Sequence, residues 1–346
     1  MTVSKLRYSR GMEHGRQRDA LLPAGWHLYL AAAVLPFVFG VLIMQFLAVA
    51  GSGASEALVA AVAGEGDGVA AGLPHLSDRL VYGAVSYIQL ATCAAVLFLH
   101  WGYLNRQRPE AYRASVRLLL LILVVGAGVA TLVRLTDAAA YALTYDLTRH
   151  LLLGIEGFPA AFAAEGYFLG QSRMFFAAIV PFVTGVLVVA FGAAVGAAES
   201  TPFDVRAPDW QRRFDGRSRR LQSAFRGSSL VLVTSAVSLM LLLQLPAPLM
   251  SAPGDAAVSR LALGLTVYWG VVMTVTLLAL FLPSYLALRR EAIRCHQSTA
   301  ADQELEMWLD ERQLRPVRHH LANLATVLAP LLVGPVGGLA QAMLGG

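Results

Sequence analysis

Five polar residues of mixed chemistry lie at and after the end of the third apolar run of the chain. Arg134 and Asp137 are three residues apart, so on a helix they share a face and can pair. Asp146, Arg149 and His150 follow in the next connection. The set predicts an outer vestibule or gate that attracts an anion. The alternative is an arginine that snorkels to the end of its run beside a neutralising acid.

Few other side chains within the apolar runs could carry chemistry. Ionisable residues there are His27 and His100, each near the end of a run. The sequence contains no metalloprotease His-Glu pair at helical spacing, no serine-hydrolase elbow and no phosphate-binding glycine loop. These absences predict no cofactor, no metal and no ATP-driven step, and they give no catalytic residue.

Two further patterns concern the contacts between helices. Gly185, Gly192 and Gly196 lie in one apolar run, and small residues at such spacings favour close helix packing within a bundle or across a dimer. Hydroxyl residues recur at helical spacing in the fifth run, at Ser228, Thr234, Ser235 and Ser238. They could line a hydrated path or make interhelical hydrogen bonds.

Composition and the lengths of the apolar runs define the fold class. Only 14% of the 346 residues are charged and 57% are hydrophobic, whereas soluble domains carry about 25% charged residues. A helix that spans a bilayer needs about 20 apolar residues. Runs of that order occur at 25–50, 80–104, 118–136, 174–198, 228–250 and 261–288. We therefore predict an all-α, polytopic membrane bundle of six transmembrane helices.

The basic residues predict how the bundle is oriented. Of the 27 lysines and arginines, 22 fall in four clusters: the N-terminal tail, the second and fourth connections, and the C-terminal tail. Basic residues beside apolar spans are retained in the cytoplasm. Both the tail 1–24 and the region 289–346 are therefore predicted to be cytoplasmic. The first run could be a cleaved secretory signal, but its length of about 25 residues exceeds the roughly 7–15 of a signal core, which favours a retained helix.

Segments outside the apolar runs predict interfacial helices. The inner loop 200–227 places Trp210 and Phe214 on one helical face with arginines opposite, which predicts a basic helix lying on an anionic inner leaflet. The arginines of this contact are Arg212, Arg213, Arg217, Arg219 and Arg220. The apolar connection 137–172 predicts a short helical hairpin in the outer interface.

The C-terminal region predicts two elements. A helix is expected to begin near Thr299 and to continue to about Gln313. Residues 321–346 carry no charge, but Pro330 and Pro335 interrupt them, so a re-entrant or packed segment is favoured over a seventh span.

Function is only bounded by these patterns. The arginine-rich, nearly lysine-free composition suggests a GC-rich bacterial genome, and therefore a multi-pass protein of the bacterial inner membrane. The net charge of +5 is explained by topology, so no nucleic acid is expected. The leading hypothesis is a passive or regulated conduit: a channel, pore, permease subunit or membrane-permeabilising effector. A non-catalytic scaffold or partner subunit, homo-oligomeric or bound to another protein, is the alternative. A lipid-acting enzyme is the third.

Overall fold

A computed structural model describes residues 26–50, 72–107, 109–136, 141–154, 173–199, 210–249 and 252–299, together with Met307. Nearly all of these residues are helical. The helices are α1 (Trp26–Ala50), α2 (Gly72–Asn105), α3 (Pro109–Leu135), α4 (Leu147–Gly154), α5 (Arg173–Glu199), α6 (Trp210–Gln244) and α7 (Ala252–Thr299). A π-helical turn, Ala142–Asp146, precedes α4. A short 3-10 turn, Ala247–Leu249, lies between α6 and α7.

Six of these helices are long and apolar enough to cross a bilayer, namely α1, α2, α3, α5, α6 and α7. Each corresponds to one of the six predicted runs, so the prediction of an all-α fold with six apolar helices is confirmed. Large side chains on their surfaces remain uncovered: Phe46 is 76% exposed, and Phe98 and Leu135 are each 77% exposed. Such surfaces are unfavourable in water but suit contact with lipid hydrocarbon.

Helix α6 occupies the centre of the bundle, in contact with α2, α5 and α7. Helix α5 also contacts α2 and α3, while α1 lies against α7 and α3. Because successive spans run in opposite directions, α2, α5 and α7 end where α3 and α6 begin. We call this the basic end, after its arginines, and the end that carries α4 the opposite end.

The largest group of buried apolar side chains lies towards the basic end. It includes Leu104, Leu118 and Phe214, all fully buried, and draws on every one of the six long helices. The clusters at the opposite end are smaller. There α4 contributes Leu151 and Leu152, so the first part of the predicted outer hairpin is a helix that packs against the bundle.

Helix α6 differs from the sequence expectation. The predicted basic interfacial helix and the fifth span form one helix of 35 residues, about 52 Å long. Its side chains Trp210 and Phe214, expected against lipid, are instead buried within the protein. The two side chains do share one apolar face, as their spacing predicts. That face packs in the protein core, to which α7, longer than predicted, supplies Leu288 and Ala292. Apolar burial therefore continues past the bilayer-spanning part.

Several predictions fall outside the described residues. They are Asp137, the N-terminal tail, the second half of the connection 137–172, the tail helix apart from Met307, and the segment 321–346.

Candidate functional site

One face of α2 carries a row of buried or half-buried side chains at alternating spacings of four and three residues. The row covers 18 residue steps, or about 27 Å, close to the roughly 30 Å of a bilayer core. Its members are Tyr82, Ser86, Gln89, Cys93, Val96 and His100. This face packs against α5 and α6. We call the contact of the three helices the polar seam.

The seam has a polar layer nearer the opposite end. The Gln89 side-chain amide donates a hydrogen bond to Ser235 Oγ at 2.8 Å, and the hydroxyls of Ser86 and Ser238 lie 3.2 Å apart. A Cβ atom placed on Gly185 would lie only 3.0 Å from Ser235 Oγ. Here the hydroxyls of α6 make interhelical hydrogen bonds, and the helices touch at the glycine.

An apolar layer comes next along the seam. Cys93, Val96, Val188 and Val231 form one buried cluster with contributions from α2, α5 and α6. Val231 is completely buried. The layer separates the hydrogen-bonded serines from the polar groups nearer the basic end.

The third layer is centred on His100, which is fully buried. Its ring lies near the backbone of Val188 and Ala224, yet among the described residues neither ring nitrogen has a partner at hydrogen-bonding geometry. A Cβ on Gly192 would lie 2.5 Å from Ser228 Oγ and 3.3 Å from His100 Cε1. Imidazole and hydroxyl therefore meet at a position where any residue larger than glycine would collide.

This layer continues towards α1 and α7. The hydroxyls of Tyr29 and Ser284 are 2.7 Å apart in a buried contact. A Cβ on Gly196 would lie 2.6 Å from Ser284 Oγ. Of the three glycines singled out in the sequence, Gly185 therefore faces the first layer, whereas Gly192 and Gly196 face the third.

A buried carboxylate closes the basic end of the seam. Glu199, the last residue of α5, is only 2% exposed. Arg220 donates to both of its oxygens, at 2.5 and 3.1 Å, and the Gln107 amide donates at 2.6 Å. Arg217 Nε lies 3.8 Å away. This network ties the ends of α2 and α5 to the basic part of α6.

The predicted inner-leaflet arginines therefore divide into two groups. Arg217 and Arg220 turn towards Glu199, whereas Arg212, Arg213 and Arg219 are exposed. Glu199 and Gln107 were not singled out in the sequence. Glu199 follows an apolar run and precedes Ser200, as a solvent-facing helix end would. Its arginine partner is 21 residues away.

At the opposite end, aromatic side chains gather around Arg134. Its guanidinium carbon lies 5.1 Å from the centre of the Phe175 ring, a cation–π contact between α3 and α5. The ring centres of Tyr145 and Phe175 are 5.8 Å apart in an edge-to-face arrangement. The ring centres of Tyr141 and Tyr145 are 5.3 Å apart. Phe175 was not expected here, because it is 41 residues from Arg134 in the chain.

The charged residues of the predicted vestibule surround Tyr141. Partial burial is the largest cause that raises the pKa of Tyr141 to about 12, and the negative charge of nearby Asp146 is the second. The positive charges of Arg134 and Arg149 lie close enough to oppose the shift. His150 Nδ1 lies 2.7 Å from the Asp146 carbonyl oxygen one turn earlier. The structure thus brings Arg134, Asp146 and Arg149 together, with His150 on the local backbone.

Metal binding has no support in the described part of the chain, where no three potential ligands converge. The six apolar helices and their uncovered apolar surfaces indicate a multi-pass α-helical membrane protein. No protein family, curated protein or solved structure matches the chain.

Proposed function

We propose that this protein is a gated conduit of a bacterial cytoplasmic membrane, closed in the conformation described above. The observation that supports it is the order of layers along the polar seam. Hydrogen-bonding side chains occupy two levels of the α2–α5–α6 contact, and the cluster of Cys93, Val96, Val188 and Val231 separates them. A hydrophobic constriction between hydrated levels can gate a path by excluding water.

The polar groups in the seam define what could pass. Gln89, His100, Ser228 and Ser235 are neutral hydrogen-bonding side chains or, for His100, a titratable one. Glu199, a carboxylate at the basic end of the seam, is held by Arg220. The seam therefore suits water or protons better than a metal cation. Pro36 and Pro283 are points at which α1 and α7 could bend, and these two helices meet the third layer of the seam through Tyr29 and Ser284.

Proton flux into liposomes tests the conduit. Purified protein would be reconstituted with a trapped pH-sensitive dye, and flux measured after an acid jump. Val231→Ser places a hydroxyl in the apolar layer and is expected to raise flux about fivefold, since one favourable hydrogen bond lowers a barrier by roughly 1 kcal/mol. Val124→Ser, on the exposed surface of α3, is the matched control and should leave flux unchanged.

The outcome that contradicts the conduit is equally concrete. The conduit is contradicted if proton flux into liposomes is no faster with protein than without it. This must hold for wild type, Val231→Ser and Val124→Ser alike, with reconstitution verified by orientation-resolved labelling. A rise for Val124→Ser as large as for Val231→Ser would also exclude the seam as the path.

The proposed orientation places the basic end in the cytoplasm. Arginine-rich segments beside spans are retained there, and Arg113 and Arg117 of α3 lie at this end with the arginines of α6. Reporter fusions test it: a fusion after residue 215 should be cytoplasmic, and a fusion after residue 67 should be exported. The reverse result for either fusion would overturn the orientation.

A second candidate function is a membrane scaffold. Helix α7 has 48 residues, about 72 Å, which exceeds the bilayer core of roughly 30 Å. Together with the basic part of α6 it forms a helical extension with exposed arginines such as Arg212 and Arg290. A crosslinker attached at position 290 in native membranes should then capture one defined protein. The same probe at position 98, which faces lipid, should not.

A further inference from the structure

A groove opens on the surface of the bundle between α2 and α6, close to the basic end. Its volume is about 390 Å³, and the residues around it are Leu99, Arg219, Gln222, Ser223, Arg226, Gly227 and Leu230. Gly227 contributes no side chain, so α2 approaches α6 closely at this point of the groove. Behind it lies the seam, since a Cβ at this position would be 2.9 Å from Val96 Cγ1.

The polar part of this groove consists of hydrogen-bond donors without an acid. Arg219 and Arg226 are two helical turns apart on one face of α6, about 10 Å, and both are exposed. Within the described part of the chain neither arginine has a carboxylate partner. Tyr103 donates to Ser223 Oγ at 3.0 Å, so the hydrogen of the Ser223 hydroxyl remains available. Two guanidiniums, an amide and a hydroxyl form a site for a phosphate group.

The apolar part lies further along α6, towards the membrane centre. Leu230 is one turn beyond Arg226, and Leu99 faces it from α2; they are 52% and 38% exposed. The groove therefore changes from cationic to apolar in the direction that a lipid of the cytoplasmic leaflet runs from headgroup to tail. A soluble phosphate has no apolar part that could contact Leu99 and Leu230.

We propose that this groove binds an acidic phospholipid of the cytoplasmic leaflet, with its phosphate between Arg219 and Arg226 and an acyl chain along Leu99 and Leu230. Lipid binding here does not depend on conduction through the seam. It also differs from a basic helix lying flat on the leaflet, because the apolar face of α6 is buried in the bundle and the lipid enters between two helices.

Native mass spectrometry of the full-length protein tests the site. Phosphatidylglycerol and phosphatidylcholine with identical acyl chains are added separately, and the affinity of the first bound lipid is compared. We expect phosphatidylglycerol to bind more tightly. The double variant Arg219→Gln/Arg226→Gln should lose about fivefold in affinity for each arginine removed. Gln222→Glu, which adds an acid between them, should also abolish the preference.

A matched pair of substitutions controls for general loss of charge. Arg212 and Arg290 are exposed at the same end but lie outside the groove. Arg212→Gln/Arg290→Gln removes the same charge and should keep the preference within about twofold, since exposed charges away from the site are screened. Inorganic phosphate at equal concentration should not compete.

Four results would overturn the proposal. They are equal binding of the two lipids by wild-type protein, equal losses in the groove and control variants, and competition by inorganic phosphate at equal concentration. The fourth is a preference that appears only after the five acids of residues 302–311 are neutralised, which would mean that the acidic segment of the chain itself fills the groove.

Discussion

Both ends of the bundle hold charged side chains beside hydrocarbon, but the two ends stabilise these charges in different ways. At the basic end a carboxylate is buried and fully engaged, with Glu199 bonded to Arg220 and Gln107. At the opposite end Arg134 remains exposed and lies over an aromatic ring, that of Phe175. The first arrangement fixes three helices to one another, whereas the second joins two helices near their ends. We therefore expect substitutions at the basic end to cost much more stability.

The largest effect is expected from Glu199→Gln. Removing one member of a buried ion pair leaves the other uncompensated, at a cost of about 3 kcal/mol or more. The partial exposure of Arg217 and Arg220 keeps the loss near that lower limit. The measurement is the free energy of unfolding in mixed detergent micelles. Arg294→Gln, which breaks the exposed pair with Glu291, is the control and should cost under about 0.5 kcal/mol. Equal losses would remove the distinction between the ends.

Glycine substitutions come next in size and differ in sign. Gly192→Ala would place Cβ against Ser228, Phe281 and His100, and overpacking of this kind costs about 1–3 kcal/mol. Gly264, in the half of α7 nearer the opposite end, has open space where a Cβ would lie. Gly264→Ala should therefore be neutral or stabilising by up to about 1 kcal/mol, the helix propensity difference. Thermal unfolding midpoints of the two variants measure the contrast, and a shift in the same direction for both would contradict it.

A smaller effect is expected at Arg134. Phe175→Leu removes the ring beneath the guanidinium and the edge contact with Tyr145, a loss of about 0.5–1 kcal/mol. Phe39→Leu, on an exposed surface of α1, is the control and should change the free energy of unfolding by less. If the Phe175 variant lost as much as Glu199→Gln, the opposite end would be as tightly tied as the basic end.

The smallest effect at neutral pH is expected from Tyr141→Phe. Tyrosine in the unfolded chain loses its proton near pH 10, whereas the pKa of Tyr141 in the folded protein is about 12. Between these values the unfolded state releases the proton first, so stability falls as pH rises. Unfolding midpoints at pH 9, 10 and 11 should decline less steeply in Tyr141→Phe than in wild type. Parallel declines would show that Tyr141 does not lie among these charges.

Part of the fold could be predicted because it depends on local chemistry. Six apolar runs correspond to six long helices, and the spacing of Trp210 and Phe214 correctly places them on one face. The surface against which that face packs could not be predicted, because lipid and a neighbouring helix favour the same side chains. The continuity of α6 was missed for the same reason: its charged face suggested an interface, while Glu199 on another helix satisfies two of its arginines.

The candidate site was less predictable than the fold. Arg134, Asp146 and Arg149 stand out in the sequence because they are polar residues of mixed chemistry at and after the end of an apolar run. Phe175, which contacts Arg134, is distant from it in the chain. Gln89 and Ser235, which form a hydrogen bond in the seam, are likewise 146 residues apart. Sequence periodicity shows that Ser86, Gln89 and His100 share a face, but it does not say which helix lies opposite.

Residue types alone predict that this chain forms long apolar helices and that most of its arginines lie at one end, because hydrophobic length and charge are properties of each segment alone. Three features depend on how the helices pack: Glu199 is buried, Gly192 admits no side chain, and polar and apolar layers alternate along one seam. Those features arise from the register of three helices against one another. That register is set by close packing between side chains far apart in the chain.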